Sequence, residues 1–217
     1  MKISLTNIED QFFKLKLKKI SMLDFEQWVY DSDFLKKEMQ EDDYLYLISL
    51  NYQTTQSFYN LEKILVKYID YGKLETIKMN ALLDSIINKD NNAANSIIRI
   101  YQLSCDGYSF LSDLGLSCGL RLTVPDTGSN LRWEQLMPQQ KQKLTDQQYP
   151  KARELAVIIK KWIEEKEIIL TGKQDDNFGR WDFIDNRKEK DNYYSRNSGQ
   201  EVNNFNNPIN KWWQIWK

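Results

Sequence analysis

Histidine is absent from all 217 residues. That removes the commonest general base at neutral pH, and with it the His-containing triads and His-ligated metals. The two cysteines, Cys105 and Cys118, are too few for a disulfide scaffold or a thiolate zinc site. Their apolar neighbours fit reduced, packed thiols. Only eight glycines and four prolines occur, few for a strand-and-turn fold of this length, so the balance favours helices. No apolar run approaches the roughly 20 residues a membrane-spanning helix needs. The N-terminus alternates apolar and charged residues and lacks the apolar run of a signal peptide. A reducing cytoplasm of bacterial type fits these absences. There is also no Gly-rich phosphate loop, no G-x-S-x-G elbow and no cysteine beside an evident base, so no catalytic residue, metal ligand or cofactor is assigned.

What remains is ample for a folded core. Hydrophobic residues make up 41% and aromatics 13% of the chain, with seven Trp, which argues against global disorder. The net charge of −1 makes the whole molecule a poor counterion for nucleic acid or an anionic membrane, and neither is expected as a partner. Charge is unevenly distributed, however. Residues 1–118 carry thirteen Lys and Arg against seventeen acids, whereas residues 119–217 carry seventeen against fourteen.

Periodicity predicts a mainly α fold: a helical, bundle-like body over 1–118, then a connector, an amphipathic helix and a small C-terminal β-hairpin over 119–187 on the same core. An Asn-rich tail over 188–217 ends in the cluster Trp212, Trp213 and Trp216. A first helix spans Asn7 to Lys19. Ser21 caps a second through a capping-box variant with Asp24, and Met22, Phe25, Trp28 and Val29 form its buried stripe. Asp33 is positioned to cap a short helix. The next begins at Asp42 or Asp43 and is apolar nearly all round, which predicts a central position, with Leu45, Ile48 and Leu50 in the core. Gly72 reads as the terminator of the following helix. Leu120 to Pro125 reads as a strand or extended connector, and Gln139 to Gln148 as a polar linker. Pro150 opens the strongest amphipathic helix, which leads into the hairpin of residues 167–187.

One stretch stands out chemically. Between Asp24 and Asp43 lie eight acids against Lys36 and Lys37 alone. Caps and helix dipoles account for Asp24, Asp33 and Asp42, leaving Glu38, Glu41 and Asp43 in surplus. The candidate partner-binding residues are therefore Asp31, Asp33, Glu38, Glu41, Asp42 and Asp43, with Tyr30 and Tyr44 as aromatic anchors. Other constellations carry less. Asp175-Asp176-Asn177 is better read as a turn than as a calcium loop, since the EF-hand Gly and distal Glu are missing. Acids cancel most of the basic charge around Trp181, Tyr193 and Tyr194, so a single-strand nucleic-acid surface is disfavoured.

The pattern Phe25-Glu26-x-Trp28-Val29-Tyr30, a short acidic helix, and Tyr44-Leu45-x-Leu47-Ile48-Ser49-Leu50-Asn51-Tyr52 resembles bacterial immunity-type proteins of polymorphic toxin systems. Ile169-Leu170-Thr171-Gly172 and Asp185-Asn186-Arg187 extend the likeness over most of residues 20–187. The resemblance implies a cytoplasmic, non-enzymatic protein that binds and blocks a cognate toxin domain; a nuclease with a basic cleft would match the acidic surface. Two other readings stay open. One is a carboxylate enzyme acting on a nucleotide or glycan in a cleft between the helical body and the hairpin. The other is a scaffold module working through the terminal Trp cluster.

Overall fold

Helices dominate the computed structural model, which describes residues 6–54, 56–125, 131–175 and 178–188. The fold is mainly α with one small antiparallel hairpin near the C-terminal end. By contact the chain divides into two units, Met1–Asn186 and Arg187–Lys217. Of the second, only Arg187 and Lys188 are described, so the Asn-rich stretch and the Trp cluster lie outside the described residues.

In the first unit, α1 (Thr6–Lys16), α2 (Met22–Asp31), α3 (Asp33–Glu38), α4 (Glu41–Ser49) and α5 (Ser57–Leu65) precede two longer helices, α6 (Tyr71–Asn88) and α7 (Ala93–Cys105). Short helical turns follow. Among them α8 (Ser112–Leu114) and α9 (Leu120–Thr123) flank a π-helical turn at Gly115–Gly119. Then come α10 (Pro138–Glu164), β1 (Ile168–Gln174) and β2 (Trp181–Asp185).

The capping box forms as its spacing predicts. Ser21 Oγ accepts from the Asp24 N–H at 3.1 Å, while the Asp24 carboxylate accepts from the Ser21 N–H at 2.8 Å. The Ser21 hydroxyl also donates to the Asp24 carboxylate at 2.7 Å, and this bond, then the one from the Ser21 N–H, holds the carboxyl below its usual pKa. At α3 the cap position belongs to Ser32, whose side chain makes no capping bond, and Asp33 is the first helical residue. There its charge meets the positive end of the helix dipole instead of capping it.

Buried side chains form two clusters. Ile8 and Phe12 of α1, Phe25 and Val29 of α2, Leu47 of α4 and Leu61 of α5 belong to the first. The second joins α6 and α7 to Tyr108, Leu122, Trp133, α10 and the β1 residues Ile168 and Leu170. Helix α6 serves both, contributing Leu74 to the first cluster and Met79, Leu83 and Ile86 to the second. Each fully buried Leu or Ile removes enough apolar surface from water to contribute about 2 kcal/mol. Glu9 of α1 fastens the start of α6: its buried carboxylate accepts from the Asp70 N–H at 2.9 Å and from Lys73 Nζ at 2.8 Å.

Several expectations are corrected. Gly72 does not end a helix; it is the second residue of α6. Its place is set by packing, since a Cβ there would lie 2.4 Å from the Leu170 carbonyl oxygen of β1. Residues 120–123 are helical, so the strand or connector reading fails for them. The polar stretch 139–148 is the first part of α10, which starts at Pro138 and carries Pro150 in its interior. Local bonds hold this half in place of an apolar stripe. The Met137 N–H donates to Gln140 Oε1, Thr145 Oγ1 to the Lys141 carbonyl, and Gln142 Nε2 to Asp146. Lys89 adds an ion pair to Asp146 at 2.9 Å. Pro150 removes the N–H that Asp146 would accept four residues back, at an exposed position of the helix.

The hairpin pairs Ile168 with Asp185, Ile169 with Ile184 and Leu170 with Phe183, then shifts register before Gln174 and Trp181. Asp175 serves the turn, its Oδ1 accepting from the Phe178 N–H.

Both cysteines are free, but only Cys118 is buried; Cys105 is exposed, against the packed position expected for both. Burial pushes the Cys118 thiol above its ordinary pKa, with Ser117, Lys151 and Arg121 opposing weakly. A chromogenic disulfide reagent should therefore titrate one thiol in the native chain and both after denaturation. Two rapidly reacting native thiols would contradict the burial of Cys118.

Candidate functional site

The acidic stretch folds into α2, α3 and α4, and the three helices sort its carboxylates by different rules. On α2 the buried residues are Phe25 and Val29, with Met22 and Trp28 partly buried against the first cluster. The opposite side presents Leu23, 59% exposed, and Tyr30, 52% exposed. The Tyr30 hydroxyl donates to Glu26 Oε1 at 3.2 Å and lies 3.5 Å from the Ile48 carbonyl oxygen, so the ring spans the seam between α2 and α4. Partial desolvation, then the Glu26 bond, raises its pKa. Asp31 is exposed and accepts from Gln27 Nε2 at 3.0 Å, one turn back.

Asp33 and Glu38 are exposed at opposite ends of α3. Asp33 is favoured by the helix dipole, whereas Glu38 sits at the end where a negative charge is disfavoured. Glu41 and Asp42 are exposed in the first turn of α4. None of Asp31, Asp33, Glu38, Glu41 or Asp42 has a cationic partner among the described residues.

Asp43 behaves differently from its neighbours. It is buried and its carboxylate is fully engaged, taking Lys67 Nζ at 2.7 Å and the Tyr68 hydroxyl at 2.6 Å. Burial pushes its pKa up, but the Lys67 and Tyr68 bonds and the Lys67 charge outweigh that and leave it below the ordinary Asp value. Asp43 therefore belongs to the interior bracing of α4 against the segment after α5, and is withdrawn from the surface set. Tyr44 is likewise half-buried against the first cluster and is a weak candidate for an anchor.

The sequence reading missed three surface residues. Leu45, assigned there to the core, is 50% exposed, and Tyr46 is 40% exposed. Helix α4 is not central: it is nine residues long and buries only Asp43 and Leu47 fully. Its outer side is Glu41, Asp42, Leu45 and Tyr46, each apolar residue one turn after an acid. Leu23 is the third, and its signal was present, since it falls off the stripe of Met22, Phe25 and Val29. The surface thus combines uncompensated carboxylates with four large exposed apolar side chains, Leu23, Tyr30, Leu45 and Tyr46. Scattered exposed apolar residues are ordinary; four on two adjoining short helices, in a segment whose exposed acids outnumber Lys36 and Lys37, have the composition of a protein contact.

A separate concavity of about 580 Å³ lies between α5 and β1, with the start of α6 as its floor. Glu62 and Asp70 are its carboxylates, and both are engaged. Glu62 pairs with Lys16 and accepts from the Tyr71 hydroxyl at 3.3 Å, while Asp70 Oδ1 caps the Gly72 N–H at 2.9 Å. Among the described residues no group of three or more Asp, Glu or Cys side chains converges as a metal site would require, and no helix is long and apolar enough to cross a membrane. Comparison with protein-family models, curated proteins and solved structures finds no match for this chain.

Proposed function

We propose that the chain is an immunity-type protein that binds and blocks a basic toxin domain through the outer surface of α2, α3 and α4. The observation that carries this reading is the set of unpaired acids, Asp31, Asp33, Glu38, Glu41 and Asp42, around exposed Leu23, Tyr30, Leu45 and Tyr46. Charge of one sign steers a basic partner and selects against acidic ones, while the aromatic and aliphatic side chains supply the desolvated centre that holds the complex. A nuclease domain is the partner whose chemistry fits best, because its cleft must be basic to take nucleic acid. Blocking needs no catalytic group on this chain; a carboxylate surface standing in for phosphates is enough. The exposed acids have no cation to hold them within the fold, which leaves their charge available to a partner.

The test uses the product of the adjacent gene, co-expressed with the tagged chain. It is expected to co-purify at low salt, with affinity falling steeply as salt rises. A variant with Asp31, Glu38, Glu41 and Asp42 all replaced by Lys should lose about 100-fold or more in affinity, while it stays folded with a lower unfolding midpoint, since two of the lysines fall in the first turn of α4 and cost about 1 kcal/mol there. Protection and salt dependence surviving unchanged in that variant would remove the acidic surface from the function.

A further inference from the structure

The concavity between α5 and β1 has a chemistry of its own. Tyr59, Glu62 and Lys63 of α5 and Val66, just past its end, recur at helical spacing, so they form a single wall. Thr171, Gly172 and Lys173 of β1 form the other, and Ile69, Asp70 and Tyr71 lie at the base. The volume of about 580 Å³ falls in the range of small-molecule sites, roughly 300–1,000 Å³.

Its two kinds of charge are in different states. Both carboxylates have partners within the fold: Glu62 pairs with Lys16 and accepts from Tyr71, and Asp70 caps α6 and keeps its charge, which Lys73 feels nearby. The cap also means that the positive end of α6 is already satisfied, so the helix terminus is not what would hold an anion. The two ammonium groups at the rim are uncommitted by comparison. Neither Lys63 nor Lys173 has a carboxylate partner among the described residues, and Lys63 Nζ rests only over the Tyr59 ring, 4.3 Å from its centroid. Beside these cations and the two carboxylates, the lining includes the apolar and aromatic side chains of Val66, 56% exposed, Tyr59, 61% exposed, Ile69 and Tyr71. The Tyr71 ring is fixed beforehand, edge-on to Phe12 at 6.4 Å and tied to Glu62 through its hydroxyl. A rigid ring wall with two free cations at the rim matches a ligand with a flat apolar body and one negative charge.

We propose that this concavity binds a small aromatic carboxylate. The ring system lies against Tyr71, Val66 and Ile69, and the carboxylate is taken by Lys63 and Lys173. A planar ligand here also gains from the Tyr59 face, which Lys63 already polarises. The site is built on α5, the start of α6 and β1, so it stands apart from the acidic surface of α2–α4 and is independent of it.

The full chain is titrated with 2-naphthoate and, separately, with its neutral analogue 2-naphthamide, following backbone amide shifts and heat of binding. Saturable binding of 2-naphthoate with a dissociation constant of about 0.1–1 mM is expected, with the largest shifts at Val66, Thr171 and Gly172. The amide should bind about tenfold more weakly, as should 2-naphthoate to the Lys63→Met/Lys173→Met variant, since each change removes the charge-assisted bond. Both lysines are exposed, so that variant is expected to keep its native spectrum. Equal affinity for acid and amide, indifference to the two lysines, or shifts confined to other parts of the chain would each overturn the proposal.

Discussion

Gly172→Ala is expected to cost about 3 kcal/mol of stability, whereas Gly179→Ala, only seven residues away, costs about 1 kcal/mol. Both glycines hold a left-handed backbone, with φ of 67° and 64°, and any L-residue there meets the conformational penalty of that region. They differ in what surrounds them. A Cβ at Gly179 would meet nothing within 4 Å, but one at Gly172 would lie 2.4 Å from the Tyr71 carbonyl carbon. That obstacle is backbone at the first residue of α6, and it cannot rotate aside. Urea denaturation of the two variants reads the difference directly as a shift in midpoint. Equal losses would mean that β1 can move off α6 without penalty and that the junction is looser than its geometry implies.

Asp43→Ala is expected to cost about 2 kcal/mol at neutral pH, because it strands a half-buried tyrosine hydroxyl and a lysine that had been paired. The Lys67 side chain is 52% exposed, which keeps the loss below that of a fully buried pair. The pH dependence separates this role from simple packing. The folded state holds the Asp43 carboxyl below its ordinary value, and the unfolded chain returns it to about 3.9. Its contribution is therefore complete above that value and is lost as pH falls through the folded pKa. The deficit of the alanine variant, measured by denaturant midpoint, should thus shrink as pH falls below the ordinary Asp value of about 3.9 and the wild type surrenders the same interaction. A deficit that stays constant with pH would assign Asp43 a purely steric role.

Asp43 also marks where the sequence ceased to be legible. The fold class followed from local rules: few Gly and Pro, a capping box at Ser21, apolar stripes at helical spacing, and a hairpin signal after residue 167. Those rules act within a turn or two of chain. Whether an acid is surplus depends on partners 24 and 25 residues away, which no local pattern reports. Leu45 failed for the opposite reason. An apolar residue in an apolar helix was assigned to the core, but a nine-residue helix at the edge of a cluster has more apolar side chains than buried side to place them on. The first half of α10 was hidden because its helix is held by side-chain bonds and the Lys89 pair rather than by an apolar stripe. At Gly72 the residue type was informative but its reason was misjudged: it makes room for a strand a hundred residues away. Glu38 and Glu41 carried the same sequence signal as Asp43, and it is the fold that leaves them exposed and Asp43 buried.

Helix α6 has a consequence for modularity. Because Leu74 belongs to one cluster and Met79, Leu83 and Ile86 to the other within a single uninterrupted helix, the breakpoint that would hand each core its own side chains, between Leu74 and Met79, runs through α6 itself and breaks its hydrogen-bond ladder. A cut before α6 deprives the first core of Leu74 and of the Lys73 ammonium that pairs with Glu9; a cut after it leaves the second core without Met79, Leu83 and Ile86. The helix thus joins the two cores, and any chimera that exchanges the acidic helices for another set must carry the beginning of α6 with them.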